Sequence, residues 1–293
     1  VTGMYAGSII IPLHDQAPWV AAALDSVEAA IRFHNGRAGL PRGRFRVVVV
    51  DDASGDGGAD AVRGWAAAPR EDLELVLLSN ARNLGASATR NRGVAASMGE
   101  LLWFLDADDA YLPCHLAVGA AVLERNADVG AVRSGVVVEG RSVHPGWLPA
   151  IAATIPNTLC VRRACHDLVG GWPEHDCFRR AGGEDGAFDA MLCRAFTIAR
   201  TDAPTALYRW RSGSSLDRQA AKLQAPPEER QRFMTEELAG PRGPDLAEGM
   251  RVTAALVQEV AGICAANPHF RPPTNPGPEP YGFAFDVPPE WLE

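Results

Sequence analysis

The sequence predicts an α/β fold with a mostly parallel central sheet, and three observations point there. Apolar runs and helical patterns alternate about four times in the first 110 residues, the rhythm of βαβ units. The runs are rich in Val, Ile and Leu without polar alternation, as strands covered on both faces are. Two of them empty into acids: Val47 to Val50 into Asp51 and Asp52, and Leu101 to Leu105 into Asp106, Asp108 and Asp109. Parallel strands present their carboxyl ends on one edge, where such sheets hold ligands, so both acid groups can share one cleft.

Taken in order, Tyr5 to Leu13 is the first strand, and Pro12 ends it because proline cannot donate to a ladder. Pro18 suits a first helical turn, and apolar residues recur at helical spacing from Trp19 to Phe33. The arginine-bearing HNGRAGLPRGRFR reads as solvated surface before the second strand. ASGDGG turns the chain into a helix from Asp60 to Ala68, Leu73 to Leu78 is a third strand, and a helix follows from Ala86 to Ser97. After the central strand Leu101 to Leu105, Leu112 to Arg125 reads as a helix and Gly130 to Glu139 as a strand. Gly140 to Asn157 suits a loop or short strands over a site. Thr158 to Val161 returns to the sheet, Arg163 to Val169 is a short helix, and a further helix begins near Glu184. Phe196 to Ala199 and Thr205 to Trp210 read as two short strands, then Arg211 to Gln219 as a polar loop. Beyond Pro226 the chain changes character: Glu228 to Leu238 and Leu246 to Cys264 are helical, and eight prolines from Pro268 to Pro289 mark an extended tail.

Composition narrows the function. A net charge of −8 argues against a general nucleic-acid binder. No apolar run reaches the length of a bilayer span, and no secretory leader is evident, so a cytoplasmic location with reduced thiols is expected. The six cysteines form no CxxC pair and no zinc spacing. Neither GxGxxG nor GxxxxGK[ST] occurs, which speaks against a dinucleotide site and a P-loop ATPase. No serine sits in a nucleophile elbow.

Four constellations remain. The acids of DADD repel one another unless a cation or donor groups hold them, and a divalent metal carrying phosphate oxygens is the obvious occupant; a helix cap reads the same residues blandly. Arg90, in RNLGASATRNRG, can contact phosphate or base, or neutralise the aspartates. Glu184 and Asp185 follow two glycines at a helix start, as a cap or as a general base. Arg209 and Arg211, in YRWRSGSS, can close over phosphates or face solvent.

These residues together resemble the family-two glycosyltransferases, inverting enzymes of the GT-A fold. SIIIPLHD, VVVVDDAS, NLGASATRNRG, LWFLDADD and GGEDGAFDAML fall in the family's order and spacing over residues 6 to 215. The resemblance implies a Rossmann-like αβα sandwich of GT-A type with a C-terminal helical segment. It implies a catalytic domain at 1–225 that binds nucleotide-sugar and acceptor, a helical appendage at 226–267 and a Pro-rich tail at 268–293. By the same resemblance, Pro12, Leu13, His14, Asp51 and Asp52 hold the nucleoside, uridine by first choice, and Arg90 is the family's arginine. Asp108 is the direct metal ligand for Mg²⁺ or Mn²⁺, with Asp106 nearer the ribose and Asp109 in support. Asp185, beside Glu184, is the catalytic base. The loop Tyr208 to Ser215, with Arg209 and Arg211, closes over the diphosphate.

The implied reaction moves a hexosyl or N-acetylhexosaminyl group from a nucleoside-diphosphate sugar to an acceptor hydroxyl by single displacement. The acceptor is a small molecule or glycan. The segment after Pro226 is expected to shape the acceptor pocket or a homodimer contact, and peripheral membrane contact is left open. The chain departs from the family at Asp15, where Asn is usual, at Thr89, where Ala is commoner, and at Arg211, where many members carry histidine; the processive QxxRW is absent. The competing readings are a nucleotidyltransferase, which usually carries a glycine-rich basic loop after the first strand, and a catalytically inactive nucleotide-sugar or protein-binding module.

Overall fold

The computed structural model describes residues 5–267 and 283–292. The parallel half of the sheet comprises β1 (Tyr5–Leu13), β2 (Arg44–Asp51), β3 (Leu73–Ser79) and β4 (Leu101–Phe104). The other half comprises β5 (Ala110–Tyr111), β6 (Val129–Glu139), β7 (Leu159–Arg162), β8 (Thr197–Arg209) and β9 (Phe283–Ala284). The order is β3-β2-β1-β4-β7-β6-β8-β5, with β9 also on β8. The chain builds outward from β1 through β2 to β3, then crosses back to lay β4 on the other flank of β1. That reversal opens a crevice beyond the strands' carboxyl ends, where Leu13, Asp52 and Asp106 lie.

Period-two alternation sets the two cores. Ile9, Ile11 and Leu13 of β1 pack on one face, with Val47 and Val49, against α1 (Ala17–Asn35), α2 (Gly58–Ala66) and α4 (His115–Arg125). Ile10 faces the other way, toward α3 (Ala86–Ala95), α6 (Arg163–Leu168), α8 (Glu184–Ala195) and α12 (Gly243–Ala266). A one-residue slip of β1 would exchange its two faces, so both cores fix its register. A satellite cluster of Val136, Trp147, Ile151, Ile155, Leu216 and Leu223 joins β6 to α5 (Leu148–Thr154), α9 (Ser215–Arg218) and α10 (Ala220–Gln224).

The α/β fold and mostly parallel sheet are as expected; several elements differ. β8 is one strand of 13 residues where two were expected, because it runs on through Pro204 where its register against β6 shifts around Gly135. A Cβ on Gly135 would stand 2.2 Å from the Asp202 carbonyl oxygen, so the bulge needs glycine there. Residues 140–157 hold α5 in place of a loop or short strands. Asp176–Ala181 form a helix, α7, and α9 lies within the expected polar loop. The helix expected from Leu112 starts at His115, because Ala110 and Tyr111 first pair with β8. The helical segment after Pro226 is present as α11 (Arg230–Ala239) and α12, the latter packed on α7 and α8.

Most of the proline-rich tail lies outside the described residues. Its end docks: β9 pairs with β8, and Val287 is buried against Cys114 and Val118. Among the described residues, no helix is long and apolar enough to cross a membrane.

Candidate active site

A cavity of about 790 Å³ opens at the crevice, and its lining includes Pro12, Leu13, His14, Asp52, Arg90 and Asp106. Asp108, Asp109, Glu184, Asp185, Tyr208 and Arg211 line it too. Residues from the ends of β1, β2 and β4, from α3, and from the starts of α8 and α9 thus converge. Asp51 and Arg209 are not in the lining. Asp51 accepts the Ser54 N–H at 3.0 Å, and Arg209 pairs with Glu139 at 3.4 Å.

Arg90 is the centre of this arrangement. α3 lies close on the sheet because Gly93 faces Ile10; a Cβ there would stand 2.5 Å from the Ile10 Cγ2. One turn earlier, Arg90 is 3% exposed with its guanidinium over the Trp172 ring at 4.6 Å. It donates to Asp106 at 2.9 Å and Asp185 at 3.2 Å, and lies 3.6 Å from Glu184. Burial alone would lower its pKa, but Asp106, Asp185 and Glu184 outweigh burial and hold it above its ordinary value. One buried cation therefore ties the acids of β4 to those of α8. Among the described residues its Nε has no hydrogen-bond partner.

The Glu184–Asp185 pair stands at the start of α8 because Gly183, at φ +98°, turns the chain into the helix. Burial and the neighbouring Glu184 push the Asp185 carboxyl up, and Arg90 opposes them. With its side chain 31% exposed, Asp185 keeps contact with solvent in the cleft. A carboxylate so placed is a stronger base than a free one and can still receive a proton.

The DADD turn is held from beneath. Asn157, fully buried, accepts the Asp106 N–H at 2.8 Å and donates to Asp109 at 2.5 Å. Asp109 also accepts the Arg209 N–H at 2.7 Å. Burial and the charge of Asp106 push Asp109 up to about 8 against those two donors. Asp109 thus joins the turn to β8 and is a support. Asp108 pairs with Arg211, whose Nε and guanidinium NH₂ both reach it. Trp210 and Gly213 donate to Asp217, so the loop carrying Arg211 is braced by its own contacts.

At the β2 end of the cleft, Asp52 is already engaged. Its Oδ1 accepts from the Asn80 side chain at 2.6 Å and the Leu84 N–H at 2.8 Å, and its Oδ2 from Gly85 at 2.8 Å. It thereby orders the loop into α3. Asp15 accepts the Gly55 N–H at 2.8 Å and laces together the loops after β1 and β2. Thr89 accepts from Asn80 at 3.3 Å. Asn157, Asn80 and Trp172 were not singled out in the sequence, because single asparagines and a lone tryptophan carry no spacing signal.

The donor set bears on a divalent metal. Among the described residues, no three His, Cys, Asp or Glu side chains converge into a cage. Asp106 and Asp108 each meet an arginine through one oxygen, Oδ1 and Oδ2 respectively, and among the described residues no hydrogen bond reaches the second oxygen. Two carboxylates with a free oxygen each fit a cation that completes its shell with phosphate oxygens, as Mg²⁺ commonly does.

Residues 8–182, more than half of the chain, match the sequence model of the family described as Glycosyl transferase family 2. A protein of Haemophilus influenzae described as an uncharacterized glycosyltransferase is 24% identical over 203 residues, covering 68% of this chain and 63% of that one. The succinoglycan biosynthesis protein ExoO of Rhizobium meliloti is 32% identical over 143 residues, 45% of this chain and 38% of that one. The chain thus spans less than two thirds of the length of either relative. Among solved structures, S. aureus TarS 1-349 in complex with UDP is similar with a TM-score of 0.58 and 21% identity, covering 90% of this chain and 71% of that one. Mannosyltransferase PcManGT from Pyrobaculum calidifontis, in complex with GDP-Man and Mn²⁺, follows at 0.54 and 21%, covering 93% and 84%.

Proposed function

The chain belongs to glycosyl transferase family 2, and on that premise we propose that its cleft moves a sugar from a nucleoside-diphosphate sugar to an acceptor hydroxyl with inversion. The observation that carries this reading is the Arg90 bridge, which gathers Asp106, Glu184 and Asp185 around one cavity. That both solved neighbours are described in complex with nucleotide ligands, UDP for one and GDP-Man for the other, supports the donor class.

In this reading Asp185 takes the proton of the acceptor hydroxyl. The acceptor oxygen bonds to the anomeric carbon as the bond to the diphosphate breaks, and that electron pair leaves on the phosphate oxygen. Arg90 fixes Asp185 against Asp106, so the base and the donor side keep one spacing, which is where orientation lowers a barrier. Pro12, Leu13, His14 and Asp52 border the nucleoside, uridine by preference. Asp108 and Asp106 would hold Mg²⁺ or Mn²⁺, which when bound supplies positive charge to the departing diphosphate. Arg211, paired with Asp108, adds a second cation to that end of the cleft.

The test is release of nucleoside diphosphate from a panel of nucleotide-sugars in Mn²⁺, with Asp185→Asn as control. Release that needs Asp185 supports the reading. No release and no binding by any donor would sink it.

A further inference from the structure

A second cavity, of about 970 Å³, adjoins the first. Asn83, Gly85, Ala86, Gly182, Glu184 and Arg218 line both, so the two meet along the edge that carries the catalytic acids. Its charged lining is Arg179, Arg180, Arg218 and Arg242 against Glu174, Asp176 and Glu184. Most of these are spoken for. Arg180 pairs with Asp245 at 2.8 Å, Arg179 lies 4.0 Å from Asp176, Glu184 faces Arg90, and Glu174 accepts from Asn91 at 2.7 Å. Two guanidinium groups are left over. Arg218 donates to the Gly213 carbonyl at 2.8 Å and Arg242 to that of Ala181, and among the described residues neither has a carboxylate partner.

We propose that this second cavity is the acceptor subsite and that it takes an acceptor bearing a phosphate group, read by Arg218 and Arg242. The proposal rests on the glycosyl-transfer reading above and names its acceptor class. Two unpaired guanidinium groups in one cavity suit a dianion, since each fork can take two oxygens of a phosphate. The donor's diphosphate has cations of its own at Arg211 and the metal acids. An acceptor held in the second cavity meets the first across Glu184, next to Asp185. The helical segment after Pro226 then has a part in acceptor choice, because Arg242 leads into α12.

The probe is glycerol 3-phosphate, titrated calorimetrically into the full chain saturated with UDP or GDP and Mn²⁺, beside glycerol and D-glycerate. Glycerol 3-phosphate should bind, glycerol should not, and D-glycerate should bind about tenfold more weakly. Arg218→Gln with Arg242→Gln should weaken glycerol 3-phosphate at least ~10-fold while the melting temperature holds, and Arg242→Gln alone, at a residue outside the first cavity, should weaken it while the nucleotide affinity holds. Equal binding of glycerol, equal binding of D-glycerate, or an unchanged affinity in the double variant overturns the proposal. Vesicles of phosphatidylcholine with and without phosphatidic acid separate the sources: arginine-dependent pelleting with phosphatidic acid supports a lipid-borne phosphate, and its absence beside glycerol 3-phosphate binding supports a soluble one. If no nucleotide binds yet glycerol 3-phosphate still needs both arginines, the glycosyl-transfer reading fails and the anion subsite stands.

Discussion

Arg90 and Arg211 show how much of this cleft depends on where single guanidinium groups point. Arg90 reaches Asp106 and Asp185 at once, 2.9 and 3.2 Å away, through two nitrogens of one planar fork. Lysine has one nitrogen and cannot span both, so Arg90→Lys should lower kcat about 10²-fold by loosening the base, with donor binding changed far less. Steady-state kinetics with calorimetry for the donor would separate the two. Arg211 has the opposite sense, since it sits on the carboxylate that a divalent cation would use. Arg211→Ala should tighten binding of Mn²⁺ alone several-fold, ~1 kcal/mol for removing a competing cation, and weaken nucleoside diphosphate. Paramagnetic resonance of Mn²⁺ without nucleotide reads the first effect; weaker Mn²⁺ binding would refute it. For pH, burial and Glu184 raise Asp185, and a base works only when ionised, so activity should fall as pH drops through a value above the ordinary aspartate range. Glu184→Gln removes a like charge, so the acid limb of the kcat/KM profile should move to lower pH; a limb that stays or rises would contradict this.

Elements, more than residues, decide what a sequence discloses. The first four strands and their helices were legible because each strand is an apolar run, fully buried in β1, β2 and β4 at their centres and half-buried in the edge strand β3, and each run needs a crossover to stay parallel. The placement of the acids followed, since β4 empties into DADD wherever its register falls. The sequence reads two short strands, Phe196 to Ala199 and Thr205 to Trp210, whereas β8 is one strand that a register shift against β6 carries through Pro204. α5 was missed because Pro145, Gly146 and Pro149 look like loop chemistry; the proline and apolar residues in fact open and bury a short helix. Asn157, the support beneath DADD, was silent because its value lies in contacts 48 and 51 residues away in sequence. The start of α8 offers an element-scale test. Gly183→Ala puts a Cβ on a backbone at φ +98°, which should cost about 1–2 kcal/mol and displace Glu184 and Asp185. Urea unfolding should show the loss, and kcat should fall further than stability alone explains. An unchanged kcat would mean that the turn does not position the acids.

Across the whole molecule, the cleft is carried by a sheet whose far edge is closed by the end of the chain. Phe283 and Ala284 pair with Ala199 and Arg200 of β8, and Val287, 8% exposed, packs with Cys114 and Val118 at the start of α4. The same strand ends at Arg209, whose N–H holds Asp109, so docking at one end and the acid turn at the other share β8. Composition hid this contact: a run with eight prolines resembles an unpacked tail, and no local pattern tells which of its apolar residues finds a partner. If the contact stabilises the fold, Val287→Asp buries a carboxylate among apolar groups and should cost about 2–4 kcal/mol. Because the docked end of β8 is Ala199–Arg200 and the cleft end is Arg209, kcat below the melting transition should hold. Melting curves and turnover on the same sample decide it. An unchanged transition would show that the docked segment adds nothing to the fold, and a fall in kcat with an unchanged transition would show that β8 relays the contact to Asp109.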